Sequence, residues 1–272
     1  MNFSSYSIKN KFAWAILIFL LSVLAQANPI FTTTFPTLTY SPAQNNKRIE
    51  LIHADHWFYD EYEHPDAQRL SGNVVFRHDG MILKCDSAVY FQAGNSFEAY
   101  DNVRLTQGDT LSLTGKRMFY DGNEALAEAR ENVILTHRGQ ILTTDSLNYD
   151  RLYGKAYFFD GGKLVDKDNT LTSDWGEYYT DTRQSTFNYN VELINPKFRL
   201  VSDTLHYNTI TKIAEIVGPS NIYSDKNQVA TTHGFYYTQT GQIELFDRST
   251  VLNGENTMIG DSIYYNEKNG IM

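Results

Sequence analysis

The sequence predicts an all-β fold, an elongated solenoid-like stack of units about 29 residues long. Three observations predict it. The first is a repeat: residues 142–150 read Leu-Thr-Thr-Asp-Ser-Leu-Asn-Tyr-Asp, and the same frame returns along the chain, with a small residue before the anchor Asp145 and an aromatic four positions after it. The anchors are Asp55, Asp86, Gly115, Asp145, Asp174, Asp203, Thr232 and Asp261, and the aromatics are Tyr59, Tyr90, Phe119, Tyr149, Tyr178, Tyr207, Tyr236 and Tyr265. The first step is 31 residues and the later ones are 29 or 30. A fixed period of this kind means units that bury their apolar faces by stacking on one another.

The second observation is alternation. Around each anchor, Val, Leu, Tyr and Thr alternate between faces, and most units carry a second apolar run after an Asn-Val phrase, as in Asn73-Val74, Asn102-Val103, Asn132-Val133 and Asn190-Val191. A period of two with β-branched and aromatic residues marks strands. The third is punctuation: Asp79-Gly80, Gly94-Asn95, Gly108-Asp109, Gly122-Asn123, Arg138-Gly139, Gly161-Gly162, Asp168-Asn169 and Thr240-Gly241 fall between the runs, where they supply positive φ or side-chain-closed turns. Each unit is thus expected to hold two strands of roughly 8 to 10 residues.

Residues 1–27 place Lys9 and Lys11 before an apolar run, 13–24, that ends at Ala25-Gln26-Ala27. This is the pattern of an export signal peptide with a small-x-small cleavage site. The alternative is an uncleaved anchor, since the run is near the lower length for spanning a bilayer. Residues 28–48, with Pro29, Pro36 and Pro42 and no clear period, are expected to form a linker, and the repeat domain is expected over 49–272. An acidic insertion at 60–66 accounts for the long first step. Residues 123–131 come nearest to a helical period, but their place in the repeat predicts strand. The chain stops at Met272 in mid-unit, so the last unit is expected to be incomplete.

Alternation also assigns faces. In the second runs it turns Val74, Phe76, Val103, Leu105, Val133, Leu135, Val191 and Leu193 inward, while Arg77, Arg104 and Glu192 point away. In the anchor runs Leu147, Leu205 and Ile263 share a face with the anchor and its aromatic. The anchor Asp is therefore expected on the inward side, at a strand end where turn amides satisfy its carboxylate. Ser87, Lys116, Ser146, Thr204, His206, His233 and Ser262 are expected on a wet face.

Composition narrows the function. The chain is 42% hydrophobic, enough to bury a core. Its single cysteine, Cys85, forms no internal disulfide and reads as a small buried residue. Without Lys9 and Lys11 the balance is 21 basic against 32 acidic residues, a net charge of −11. That surface suits neither nucleic acid nor unaided adhesion to an anionic membrane.

The residues offer little to catalysis: nucleophile elbow, phosphate loop, dinucleotide fingerprint and paired-His helix are all missing. No enzyme activity, cofactor or metal is expected. His53, Asp55 and His56 with His64 would suit a metal, but residues 53 and 56 lie on opposite faces of a strand. The Asp column could supply carboxylate pairs for glycoside hydrolysis; a periodic column more simply has a structural role. The aromatic column could be a sugar-stacking platform or part of the packed interior.

The phrase Leu70-Ser71-Gly72-Asn73-Val74-Val75-Phe76, followed by Lys84-Cys85-Asp86-Ser87-Ala88-Val89-Tyr90, resembles the repeating unit of the OstA/LptA family of lipopolysaccharide-transport proteins. The unit recurs through residues 49–266, and the Tyr-rich copies look most like the OstA-like proteins of Bacteroidetes-type bacteria. Gly162-Lys163 and Ser220-Asn221 depart from the Asn-Val phrase. The resemblance implies a twisted antiparallel β-jellyroll, open at its ends, whose members pair end to end through β-strands across the periplasm and shield lipid A acyl chains in an apolar groove. It would make the eleven inward residues named above the groove lining.

The expected function is that of a non-enzymatic periplasmic carrier or bridge in lipopolysaccharide export to the outer membrane. Its partners would be lipopolysaccharide, other lipopolysaccharide-transport proteins and further copies of the chain, with outer-membrane association as a second expectation. Two rivals stay open. An exported β-helix enzyme acting on polysaccharide needs acids clustered in a cleft, and a structural scaffold or adhesin would have a solid interior.

Overall fold

The computed structural model describes residues 48–59, 65–224 and 227–266, all within one compact unit, Gln44–Met272. The expected signal segment, all but one residue of the linker, His64 and most of the acidic insertion lie outside the described residues. Eighteen strands form one antiparallel sheet. They are β1 (Glu50–His53), β2 (His56–Tyr59), β3 (Gln68–His78), β4 (Met81–Phe91), β5 (Ser96–Gln107), β6 (Leu111–Asp121), β7 (Leu126–His137), β8 (Gln140–Asp150) and β9 (Lys155–Phe158). They continue as β10 (Gly162–Asp166), β11 (Asn169–Ser173), β12 (Trp175–Tyr179), β13 (Gln184–Asn195), β14 (Phe198–Asn208), β15 (Ile213–Ser224), β16 (Asn227–Tyr237), β17 (Gln242–Asn253) and β18 (Asn256–Asn266).

Three pairs of short strands are interrupted long ones. β1 and β2 both pair with β3, β9 and β10 both pair with β8, and β11 and β12 both pair with β13. With each such pair taken as one strand, the chain is a meander in which every strand is hydrogen-bonded antiparallel to the next, for example β4 to β5, β7 to β8 and β17 to β18.

The uninterrupted strands run for 11 or 12 residues. They are longer than expected because the Asn-Val phrase is a corner inside a strand and not the start of one. Two successive left-handed residues bend the chain there: Gly72 and Asn73, Asp101 and Asn102, Glu131 and Asn132, Tyr189 and Asn190, and Asp247 and Arg248 all have positive φ. Gly and Asn tolerate this conformation best. The ladder skips these residues and resumes beyond them. Gly161-Gly162, read as a turn, is the corresponding corner between β9 and β10. The bend folds each long strand over, and the apolar side chains of both halves meet inside.

The anchor Asp sits against this corner, in mid-strand, and is exposed on the outside. Both its expected inward position and its strand-end position are therefore wrong. In β4 the buried positions on either side of the bend are Cys85 and Ala88, three residues apart; strict alternation fails where a bulge inserts a residue. What the anchor does is accept hydrogen bonds from the corner of a neighbouring strand. Asn73 Nδ2 donates to Asp55 (2.8 Å), Asn102 Nδ2 to Asp86 (2.7 Å) and Asn190 Nδ2 to Asp174 (2.7 Å), and the Asn132 backbone N–H donates to Asp145 (3.3 Å).

The third unit needs the same kind of correction. Its buried residues are Met118 and Tyr120, while Phe119 is half-buried on the other face. The anchor position is therefore Lys116, not Gly115, and Gly115 takes the small-residue place that Cys85 fills one unit earlier. Lys116 and Arg117 both meet Glu131 at the next corner, at 3.4 and 2.9 Å. Ser146, expected to be wet, is buried and donates to Asp160 (2.5 Å).

Hairpin turns fall in two rows. In one row each turn has four residues, ending at Asn95, Ala125, Gly154, Arg183, Lys212 and Gly241. Successive turns of this row bond to each other: Gly122 N–H to Asn95 O, Arg151 to Ala125, Thr180 to Gly154, Thr209 to Arg183 and Thr238 to Lys212, at 2.8–3.1 Å. The other row consists of the shorter turns at 79–80, 108–110, 138–139, 167–168, 196–197 and 254–255. The Cys85 thiol lies in the interior, where burial pushes its pKa up to about 12, as befits a packing residue and not a nucleophile.

Candidate functional site

The eleven residues expected to line a groove all point into one continuous interior. Val74, Phe76, Leu105, Leu147, Val191, Leu193 and Leu205 are wholly buried, Val103, Val133 and Leu135 nearly so, and Ile263 is 5% exposed. The interior also contains a column that alternation did not single out, three residues before each anchor: Leu83, Leu113, Leu142, Leu171, Leu200 and Val229. Its constant offset was readable once Lys116 replaces Gly115 as the third anchor. Aromatic rings fill the first units, with Phe76 stacked on Phe97 at 4.2 Å and Phe97 on Tyr120 at 5.3 Å. Among the described residues the interior is packed by its own side chains.

Along one side of this interior the two rows of turns face each other, and the aromatic column closes the gap. Six of its tyrosines are buried and offer no ring face to a sugar. Their hydroxyls reach the opposite row. Tyr90 donates to Ile49 O (2.9 Å), Tyr207 donates to Asp166 (2.8 Å), and Tyr120 and Tyr178 lie 2.7 Å from His78 Nδ1 and His137 Nδ1. Arg151 Nη1 donates to the Tyr120 hydroxyl (2.6 Å), leaving the phenol proton for His78. Burial outweighs the pull of Arg151 and pushes the Tyr120 pKa up to about 12, and burial also raises Tyr149, Tyr178 and Tyr207. These phenols stay neutral donors across the physiological range.

A second cluster is ionic. Asp166, at the end of β10, is 1% exposed and takes Lys212 Nζ, the Tyr207 hydroxyl and, at 3.2 Å, Gln140 Nε2. Asn169 Nδ2 adds donors to Tyr207 (2.9 Å) and Thr238 (3.1 Å). A buried pair of this kind needs its remaining lone pairs and protons satisfied to be tolerated, and Tyr207 and Gln140 donate to the carboxylate.

His137 gives the mouth a pH dependence. Burial, then the guanidiniums of Arg138 and Arg183, hold its pKa below the ordinary 6.5. As pH falls below 6.5 the unfolded chain takes up this proton and the folded chain does not, so stability is full above 6.5 and declines down to the depressed value. The decline is at most about 1.4 kcal/mol per pH unit. Denaturant midpoints measured from pH 7 to pH 5 are expected to fall more steeply for the native chain than for His137→Gln; equal slopes would contradict it.

The other candidate sites do not assemble. His53 Nε2 lies 3.0 Å from Asp55 at the exposed first unit, and that hydrogen bond, with one from Asn73, lowers the Asp55 pKa. Among the described residues no group of three or more His, Cys, Asp or Glu side chains could hold a metal. The anchor carboxylates sit one per unit on the outside, held by corner amides, and do not converge in a cleft.

Residues 46–203 match the family model of the OstA-like proteins, over half of the 272-residue chain. The chain belongs to the OstA-like family. Residues 155–252 also match the model described as lipopolysaccharide-assembly, LptC-related. The two matches overlap at 155–203, from β9 into β14, and together they cover the array as far as β17. This is the lipopolysaccharide-transport family that the repeating unit resembles. No curated relative matches the chain.

In this OstA-like protein the first and last strands differ from the rest. Among the described residues β1 and β2 pair with β3 alone, and they carry exposed Ile52, Trp57 and Phe58. Among the described residues β18 pairs with β17 alone, and it exposes Met258, Ile259 and Tyr264. Unpaired strand edges with apolar side chains are templates for another chain. Beside β2 a cavity of about 600 Å³ opens onto Tyr90 and Ile49, and at the far end a narrow cleft reaches Ile222, Val229, Ile243 and Leu245.

Proposed function

We propose that this OstA-like protein is a periplasmic link in lipopolysaccharide transport, holding acyl chains against its apolar interior and passing them along an array of strand-paired proteins. The observation that carries this reading is the single apolar core running from the first unit to the last, ending in unpaired apolar edges. Shielding a twelve-carbon chain is worth on the order of 10 kcal/mol at roughly 0.8 kcal/mol per CH₂, as an upper bound. Because the interior is already filled, a bound chain must part the two halves of the strands on the side where tyrosine hydroxyls, not backbone ladders, hold them together. The signal-peptide pattern read in residues 1–27 and the acidic composition support a periplasmic location. The exposed edges would pair with other lipopolysaccharide-transport proteins or with a second copy by strand addition.

The packed interior favours a second reading, a structural scaffold. Photocrosslinking side chains at Leu135 and Leu193 separate the two. Capture of lipopolysaccharide from both positions in cells, with saturable, detergent-competed binding by the purified chain, is expected for the transport reading. Capture of none is the scaffold's result.

A further inference from the structure

The mouth has a gap between its latches. A cavity of about 520 Å³ lies between Gln107, which holds Arg151 (3.1 Å), and His137, which holds Tyr178. Its lining is mostly polar, but Leu111 and Tyr149, both members of the core, form part of it. Its rim carries Arg138 from one row of turns and Arg183 from the other, against a single carboxylate, Asp181. Arg183 is held by Thr209, through the hydroxyl (3.2 Å) and carbonyl (3.3 Å), and bonds the Tyr178 hydroxyl. Among the described residues neither arginine has a carboxylate within 4 Å.

We infer that this gap receives the phosphate group of an acyl lipid, Arg138 and Arg183 meeting its charge while the acyl chain passes Leu111 and Tyr149 into the interior. The inference rests on the acyl-shielding function above. Guanidinium forks match phosphate oxygens two at a time. The volume is that of a pocket for a whole small ligand and exceeds what one ion fills.

Titration calorimetry of the full chain tests it with three probes: short-chain diacyl phosphatidic acid below its micelle threshold, the matching diacylglycerol, and inorganic phosphate. The phosphatidic acid is expected to bind about tenfold or more tighter than the diacylglycerol, the equivalent of one charge-assisted pair. Arg138→Asn with Arg183→Gln should erase that difference and leave diacylglycerol binding unchanged. Arg183→Lys should keep part of it, and Asp181→Asn should increase it. Arg138→Asn alone, at an exposed turn position with φ +49°, guards against a folding defect. Equal binding of the two lipids overturns the phosphate site and spares the acyl-shielding function. Inorganic phosphate binding as tightly as phosphatidic acid overturns the lipid source. Binding of neither lipid overturns both.

Discussion

Replacing Asp166 by Leu is expected to destabilise the fold by about 3–5 kcal/mol, the cost of leaving a buried charge without its partner. Lys212 is only 8% exposed, and its ammonium has Asp166 as its partner in the mouth. The Tyr207 hydroxyl and Gln140 amide lose an acceptor in the same change. For a domain of this size the melting temperature should fall by roughly 10 °C. Lys212→Met should cost less, because the Asp166 carboxylate keeps the Tyr207 and Gln140 donors. The double variant should recover most of the loss, since an apolar pair of similar volume needs no solvation. A single Asp166→Leu variant that melts with the native chain would falsify this account. So would a double variant no more stable than that single one.

The Asp166 pair also shows where sequence reading stops. Asp166 and Lys212 are 46 residues apart, and His78 and Tyr120 are 42 apart. Each pair joins one row of turns to the other, across units. The repeat period gives the order of units along the stack but not how far one row is offset against the other, so the residues of the mouth could be seen and their partners could not. The interior was easier to read, because one apolar face per strand is enough to place Val103, Leu135 or Leu193 inside.

The corner lies between these extremes. Asn73, Asn102, Asn132 and Asn190 were visible as a column, and so were the anchor carboxylates, but the two columns read as separate features. Their link is a side-chain hydrogen bond between neighbouring strands at a bulge, and a bulge is a local break in the alternation that assigns faces. Extending period two through it put Asp145 inside and Phe119 in the core column, and both errors follow from that single step. The same bend gives the fold its inside. Without it the long strands would form one open sheet, with no second half to cover the apolar face.

Substituting Gly176 with Leu is expected to destabilise the protein, although the sister units make Leu look like the natural residue there. The equivalent positions are Ala88, Met118, Leu147, Leu205 and Ile263, all buried, and Gly234, the one other glycine. In this unit the space is taken from the neighbouring strand. A Cβ on Gly176 would stand 2.6 Å from Phe158 Cζ and 2.7 Å from its Cε1, and one on Gly162 would meet the same ring at 2.5 Å. Phe158 thus fills the volume that two side chains occupy elsewhere, and its own equivalent in β7 is the small Ala129. Overpacking of this kind costs about 1–3 kcal/mol or more, and Phe158→Ala alone should cost about 3–5 kcal/mol through the cavity it leaves. Because each change relieves the other, Gly176→Leu with Phe158→Ala should be markedly more stable than the sum of the two losses. Denaturant unfolding of the four chains measures that coupling. Additive losses would mean that Phe158 and residue 176 do not share one space, and that the volume of each unit is set within the unit and not traded between adjacent strands.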